Sequence, residues 1–139
     1  MPLPQASYNH SSMVKGIEHT AIASTDPERL AQWYVDTLGF VVNYRYPNGS
    51  AVFIKAADGS MIEIITASRA ADNPFGLSDP GIRHLALTVS DFDAACRQLK
   101  ERGVSFLKEP FTNGGNSLVF FTDPEGNILH LLHRETPLP

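Results

Sequence analysis

Residues 81–89, Gly-Ile-Arg-His-Leu-Ala-Leu-Thr-Val, predict a β-strand because the stretch is short, apolar and β-branched at its end. Alternate side chains of a strand share a face, so His84 shares one face with Ala86 and Thr88. These small neighbours leave open space beside the imidazole. The leucines of the other face need a helix to cover them, and an amphipathic run begins just after Asp91.

The same pattern occurs earlier in the chain, which indicates an internal duplication. Gly16-Ile17-Glu18-His19-Thr20-Ala21 repeats Gly81-Ile82-Arg83-His84-Leu85-Ala86, and Asp26 repeats Asp91. The offset is 65 residues for both the histidine and the aspartate. A constant offset over a histidine, its neighbours and a helix start is not expected by chance.

The strands that follow each helix are also duplicated, with the offset shifted to 67 residues. Ser50-Ala51-Val52-Phe53 matches Ser117-Leu118-Val119-Phe120, and Ile62-Glu63-Ile64-Ile65 matches Leu129-His130-Leu131-Leu132. The sequence therefore predicts an α+β fold of two βαβββ modules. In the second module His130 stands at the position that Glu63 has in the first.

Capping and turn residues set the expected boundaries of these elements. Helices are predicted from Thr25-Asp26-Pro27-Glu28 to Leu38 and from Ser90-Asp91 to Gly103. Residues 110–116, which contain Gly114-Gly115, are predicted to form a mobile loop that could act as a flap. The predicted strands are 17–24, 40–46, 50–56, 60–66, 81–89, 104–109, 117–122 and 127–134.

Length and composition limit the class of protein. The 139 residues are enough for one domain, divided into an N-terminal flexible arm (1–14), module 1 (15–67), a linker (68–81) and module 2 (82–134). A net charge of −4 without a basic cluster argues against a nucleic-acid partner, and no apolar run is long enough to span a membrane. Cys96 is the single cysteine, which fits a reducing cytoplasm.

Four candidate metal ligands occupy the duplicated positions: His19, Glu63, His84 and His130. If the modules pack around a pseudo-two-fold axis, the four side chains are expected to converge. Three imidazoles and one carboxylate suit a divalent ion of Fe, Zn, Ni, Co or Mn. A carboxylate within the apolar run around Glu63 would be costly if buried alone. The alternative reading of Glu63 is an edge strand with one solvated face.

The chain resembles the vicinal oxygen chelate superfamily, which includes glyoxalase I, methylmalonyl-CoA epimerase, extradiol dioxygenases and bleomycin or fosfomycin resistance proteins. The resemblance implies an open, cup-shaped mixed sheet with helices outside and a metal at its base, held by residues including His19, Glu63 and His84. That family commonly carries Glu at the position of His130. The stretches that carry the resemblance are Ile17-Glu18-His19, residues 33–40 (Trp-Tyr-Val-Asp-Thr-Leu-Gly-Phe), Ile82-Arg83-His84-Leu85-Ala86 and residues 123–130 (Asp-Pro-Glu-Gly-Asn-Ile-Leu-His).

Three functions follow as hypotheses, and the sequence does not identify the substrate. The first is a lyase or isomerase of the glyoxalase I type, in which Glu63 removes a proton next to a carbonyl of a small oxygen-chelating substrate. The second is a non-haem Fe(II) dioxygenase using His19, Glu63 and His84. The third is a bleomycin-resistance-like protein that binds a small molecule without chemistry. Exposed sheet edges also predict a homodimer, with the site either within one chain or between two.

Overall fold

The computed structural model of this protein describes residues 13–71 and 76–139, which form two βαβββ modules. The elements of module 1 are β1 (His19–Ser24), α1 (Pro27–Leu38), β2 (Val41–Arg45), β3 (Ala51–Lys55) and β4 (Met61–Thr66). Those of module 2 are β5 (His84–Thr88), α2 (Phe92–Glu101), β6 (Phe111–Asn113), β7 (Asn116–Thr122) and β8 (Ile128–Arg134).

Each module forms one mixed four-stranded sheet with the same topology. The strand orders are β1-β4-β3-β2 and β5-β8-β7-β6, so that β1 and β5 are edge strands of the described sheets. The first strand of each module runs parallel to the last, and the remaining neighbours are antiparallel. The predicted α+β fold of two βαβββ modules is therefore confirmed.

Local signals account for the start and end of α1. The carboxylate of Asp26 accepts a hydrogen bond from the backbone N–H of Arg29, so Asp26 rather than Thr25 is the N-terminal cap. Pro27 follows in the first turn, where its missing N–H costs nothing. The helix ends at Gly39, whose φ of 79° lies in the left-handed region that favours glycine.

The helix-facing sides of both sheets share one hydrophobic core. Leu30 and Tyr34 of α1 and Leu99 of α2 are buried in it together with apolar residues of both sheets. Cys96 also lies in this core, as its place on the apolar stripe of α2 predicts. The opposite face of each sheet, called here the open face, is not covered by either helix in the part of the chain that the structure describes.

Three hydrogen bonds join the modules on the helix side. The buried Tyr34 hydroxyl donates to Asp123, and the Ser24 hydroxyl donates to Glu125. The guanidinium of Arg102, just after α2, donates to the backbone carbonyl of Thr37 near the end of α1 over 2.7 Å. These contacts fix the turn between β7 and β8 against the first module.

The predicted strand at 104–109 is wrong, and so is the predicted loop at 110–116. Phe106 forms only an isolated bridge to Phe121, and the regular ladder with β7 begins at Phe111. Pro110 lies between these two segments and has no N–H to donate, which explains why the pairing is interrupted there. The third strand of module 2 is therefore short and displaced toward the turn at Gly114-Gly115.

Two predicted segments fall partly outside the described residues. Of the N-terminal arm (1–14) only Met13 and Val14 are described, and both are exposed. The predicted linker (68–81) is described except for residues 72–75. Neither helix in the described ranges has the length and apolar character that crossing a membrane requires.

Candidate functional site

The first pair of candidate ligands lies on the open face of module 1. His19 is the first residue of β1, and Glu63 lies in the middle of β4. The parallel pairing sets Ala21 opposite Glu63, which brings the imidazole two residues away to the same face. Nε2 of His19 lies 3.8 Å from Oε1 of Glu63. The predicted pairing of these two residues is therefore present.

Glu18 fixes the orientation of the first imidazole. Its Oε1 lies 3.1 Å from Nδ1 of His19. A carboxylate at Nδ1 favours the tautomer that carries its proton there, which leaves the lone pair of Nε2 directed at Glu63. The sequence analysis gave no role to Glu18, although a carboxylate adjacent to a candidate metal-binding histidine is a signal for such a contact.

The second pair occupies the equivalent place in module 2. His84 begins β5, and His130 lies in the middle of β8, with Ala86 opposite His130. The ring centroids of the two histidines are 4.7 Å apart. The expectation that all four residues lie in mid-strand is thus correct for Glu63 and His130, but the other two histidines stand at strand starts.

His130 is the most deeply buried of the four candidates, with only 5% of its surface exposed. Burial lowers the pKa of its imidazole, and the positive charge that His84 and Arg134 can carry lowers the pKa further, against a contact with the carbonyl of Leu131 that raises it. The ring is consequently neutral near pH 7. A neutral imidazole is the form that donates an electron pair to a metal.

The four candidate ligands do not meet within one chain. Over residues 13–71 and 76–139 the structure contains no group of three or more His, Cys, Asp or Glu side chains placed to hold one ion. Packing explains the separation, because the helix-facing sides of both sheets contribute to a single core. The two ligand pairs occupy alternate strand positions and so lie on the faces that point away from this core.

Each pair is nevertheless compatible with metal coordination. Zinc bonds to nitrogen and oxygen ligands measure about 2.1 Å, so an ion can contact two donor atoms that lie less than about 4.2 Å apart. The 3.8 Å between His19 and Glu63 meets this condition. Each pair provides half of a four-ligand set, which is called here a half-site.

A cleft of about 780 Å³ lies between the modules, along the edge of β1 and the start of β5. It is lined by Ala21, Ala23, Arg83, His84 and Glu125, among others. His84 is the only one of the four candidate ligands among its lining residues. The cleft is therefore distinct from the surfaces on which the two half-sites lie.

The turn between β7 and β8 contains a residue that sequence reasoning did not single out. Asp123 is 3% exposed and accepts hydrogen bonds from Tyr34, from the backbone N–H groups of Glu125 and Asn127, and from the Asn127 amide. The turn leads directly into β8, so Asp123 sets where His130 begins its run. The signal in the sequence is an aspartate followed by Pro-Glu-Gly-Asn, a typical turn in which its side chain binds the backbone.

Comparison with known proteins identifies the family. Residues 16–131 match the model of the glyoxalase/bleomycin resistance protein/dioxygenase superfamily. The chain belongs to this superfamily. The resemblance found in the sequence is confirmed by this match.

Individual members of the superfamily show how widely the similarity extends. The uncharacterized protein YwkD of Bacillus subtilis is 33% identical over 86% of this chain and 97% of its own. A probable lactoylglutathione lyase of Synechocystis is 28% identical over 82% of this chain and 92% of its own. The crystal structure of a glyoxalase family protein from Enterococcus faecalis is 27% identical, with a TM-score of 0.69 over 86% of this chain and 98% of that chain.

Proposed function

We propose that this protein is a divalent-metal-dependent lyase or isomerase of the glyoxalase I type that acts on a small oxygen-chelating substrate. The proposal depends on one observation: an imidazole–carboxylate pair and an imidazole–imidazole pair occupy repeat-equivalent places on two open sheet faces. The donor set suits Fe, Zn, Ni, Co or Mn. The similar probable lactoylglutathione lyase of Synechocystis supports this class of reaction.

A homodimer completes the site in this proposal. His19 and Glu63 of one subunit bind the ion together with His84 and His130 of the partner subunit. Ile17 and Ile82 support this arrangement, since they occupy equivalent places two residues before the strand histidines and are 90% and 82% exposed. Large apolar side chains exposed at duplicated positions favour a protein interface.

The unpaired edges of β1 and β5 also favour such a dimer. Both strands begin with a candidate ligand, and both have a free hydrogen-bonding edge among the described strands. A free edge readily pairs with another chain. Pairing β1 of one subunit with β5 of the partner would bring an open face of module 1 beside an open face of module 2.

The residues have separate roles in the proposed reaction. The bound ion acts as a Lewis acid that draws electron density from the substrate oxygens. His19, His84 and His130 hold the ion, and Glu63 removes the proton from the carbon beside the substrate carbonyl. The side chain of Glu63 is 17% exposed, so substrate can reach the carboxylate while most of it is shielded from solvent.

Subunit complementation tests whether the site is shared. One variant carries His19→Ala and Glu63→Gln, the other carries His84→Ala and His130→Gln. Each homodimer should bind no metal, whereas a mixed dimer has one intact site and one that lacks all four ligands. Random exchange should therefore restore about a quarter of the wild-type metal content, because half of the dimers are mixed. Exchange of the first variant with His19→Ala alone is the matched control and should restore none.

The outcomes of this experiment are distinct. Wild-type protein that binds no divalent metal contradicts the proposed function. Wild-type protein that binds metal, with no recovery on mixing, places the four ligands within one chain and contradicts the shared site. Recovery of metal content supports both parts of the proposal.

Glu63→Gln tests the chemistry. This variant should retain its metal and lose activity toward a small carbonyl substrate by about 10²- to 10⁴-fold, the usual contribution of a general base. Glu101→Gln at the exposed end of α2 is the control and should have wild-type activity. Activity that survives in Glu63→Gln shows that another group is the base, and oxygen uptake with a catechol by the Fe(II)-loaded protein would favour the dioxygenase alternative.

A further inference from the structure

Both open faces carry aromatic rings at repeat-equivalent positions beside the candidate ligands. Phe53 of β3 pairs with Glu63, and Phe120 of β7 pairs with His130. The ring centroid of Phe53 lies 5.4 Å from that of His19. The ring of Phe120 lies 4.9 Å from that of His130. The expectation from the duplication that the two phenylalanines share corresponding faces is confirmed.

A second ring extends each aromatic surface away from the ligands. In module 1 the centroids of Tyr46 and Phe53 are 6.1 Å apart, and in module 2 those of Phe111 and Phe120 are 6.5 Å apart with nearly parallel planes. Tyr46 precedes β3 and donates its N–H to Ala51, which corresponds to the place of Phe111 opposite Leu118. Each set of two rings is called here an aromatic ladder.

The duplication has thus preserved ring character as well as ligand positions. An aliphatic residue would suffice to fill a strand position, yet rings occur at both levels of both ladders. Flat rings that lie near the ligands offer edge and face contacts to another planar ring. Such surfaces remain partly open, since Tyr46 is 41% exposed and neither helix covers the open faces.

Charge near the second ladder favours an anionic ligand. The ammonium group of Lys108 lies 4.3 Å from the centroid of the Phe111 ring. The proposed donor set contains only one carboxylate, Glu63, so that a bound divalent ion would keep a net charge of about +1. A monoanion that chelates the ion neutralises this charge.

We propose that the site takes a planar aromatic monoanion whose two neighbouring oxygen atoms chelate the ion while its ring lies against the aromatic ladders. This inference depends on the proposed metal centre and adds the substrate class to it. The chelating oxygens alone would serve an aliphatic compound equally well. The ladders distinguish the two classes, because they give a planar ring contacts that an aliphatic group of the same charge does not make.

Three hydroxamic acids test this inference, since they share one chelating group and differ only in what it carries. Benzohydroxamic acid has a planar ring, cyclohexanecarbohydroxamic acid has a saturated ring of similar size, and acetohydroxamic acid has a methyl group. The dissociation constants are measured by titration calorimetry on the dimer loaded with cobalt(II). Benzohydroxamate should bind about tenfold more tightly than acetohydroxamate and about threefold more tightly than the saturated analogue.

Variants link this preference to the ladders. Phe120→Leu and Phe53→Leu should each reduce the preference for benzohydroxamate over acetohydroxamate by about threefold or more. Phe111→Leu, on the short β6, provides the same test farther from the ligands. Phe92→Leu, a ring packed against the core on the helix side, is the matched control and should leave the preference unchanged. The cobalt content of every variant is measured in parallel.

Each result has a definite meaning. Equal affinity for the three hydroxamates, or tighter binding of the saturated ring, overturns the aromatic preference and leaves the metal centre standing. A preference that persists unchanged in all three ladder variants also overturns it. Failure of the cobalt-loaded protein to bind any of the three contradicts the open coordination of the proposed function, and the aromatic inference with it.

Discussion

The hydroxyl of Tyr34 in module 1 donates a 2.9 Å hydrogen bond to the carboxylate of Asp123 in module 2, and both side chains are buried. Asp123 organises the turn that leads into β8, the strand that carries His130. The contact thus connects the packing of the two modules with the position of a candidate ligand.

Loss of this hydrogen bond should destabilise the fold. In Tyr34→Phe the ring remains, but the buried carboxylate of Asp123 loses one of its donors. The free energy of unfolding should fall by about 1–3 kcal/mol, the usual cost of leaving a buried polar group less satisfied. Urea denaturation measures the change. Tyr44→Phe, at a tyrosine that is 51% exposed, is the control and should change stability by less than about 0.5 kcal/mol.

The same pair should make stability sensitive to alkaline pH. Burial first, and then the negative charge of Asp123, raise the pKa of Tyr34 far above its usual value of 10. The folded protein therefore keeps the phenol proton where the unfolded chain releases it. Stability should be constant with respect to this group below pH 10 and fall above it, by at most about 1.4 kcal/mol per pH unit.

Comparison with Tyr34→Phe isolates this effect from other groups that titrate in base. The difference in unfolding free energy between the wild type and the variant should shrink as the pH rises from 9 to 11. A difference that stays constant over this range would show that Tyr34 ionises equally in the folded and unfolded states.

His130→Glu restores the carboxylate that the resemblance to the family leads one to expect. Without metal, this carboxylate lies at a position only 5% exposed, so burial should raise its pKa and destabilise the protein at pH 7 by about 1–3 kcal/mol. A raised pKa means that stability is present at low pH and is lost as the pH rises past the unfolded value of about 4.3. A saturating divalent ion should remove the deficit.

Thermal unfolding at pH 5 and pH 7, with and without metal, measures these effects. His130→Gln is the matched control, because it has the same size and no charge, and its metal-free stability should be nearly independent of pH in this range. Full stability of metal-free His130→Glu at pH 7 would contradict the burial of this position.

Glu18 should strengthen metal binding through His19. Removing the carboxylate in Glu18→Ala frees the imidazole to rotate and to adopt the other tautomer. Contacts of this kind typically contribute about 10- to 100-fold in metal affinity, and the exposure of Glu18 places the expected loss near the lower limit. Glu18→Gln, which can still accept the hydrogen bond, should lose less. Equal affinity in all three proteins would show that the contact has no influence on the metal.

The sequence by itself determined the fold class and the identity of the candidate ligands. Duplicated patterns around His19 and His84, and around Glu63 and His130, record local chemistry: alternation along a strand, caps at helix ends and glycine at turns. These features depend on residues close together in the chain. The prediction failed at 104–109, where Pro110 and the pairing with β7 decide which residues join the sheet.

Only the tertiary structure decided which ligands lie together. The repeat is equally compatible with four side chains meeting in one chain and with two separate pairs, because both arrangements use the same strands. The shared core on the helix sides of both sheets selects the second, since it turns the face bearing His19 and the face bearing His84 away from each other. Packing between distant segments sets that choice, and no local pattern of residues specifies it.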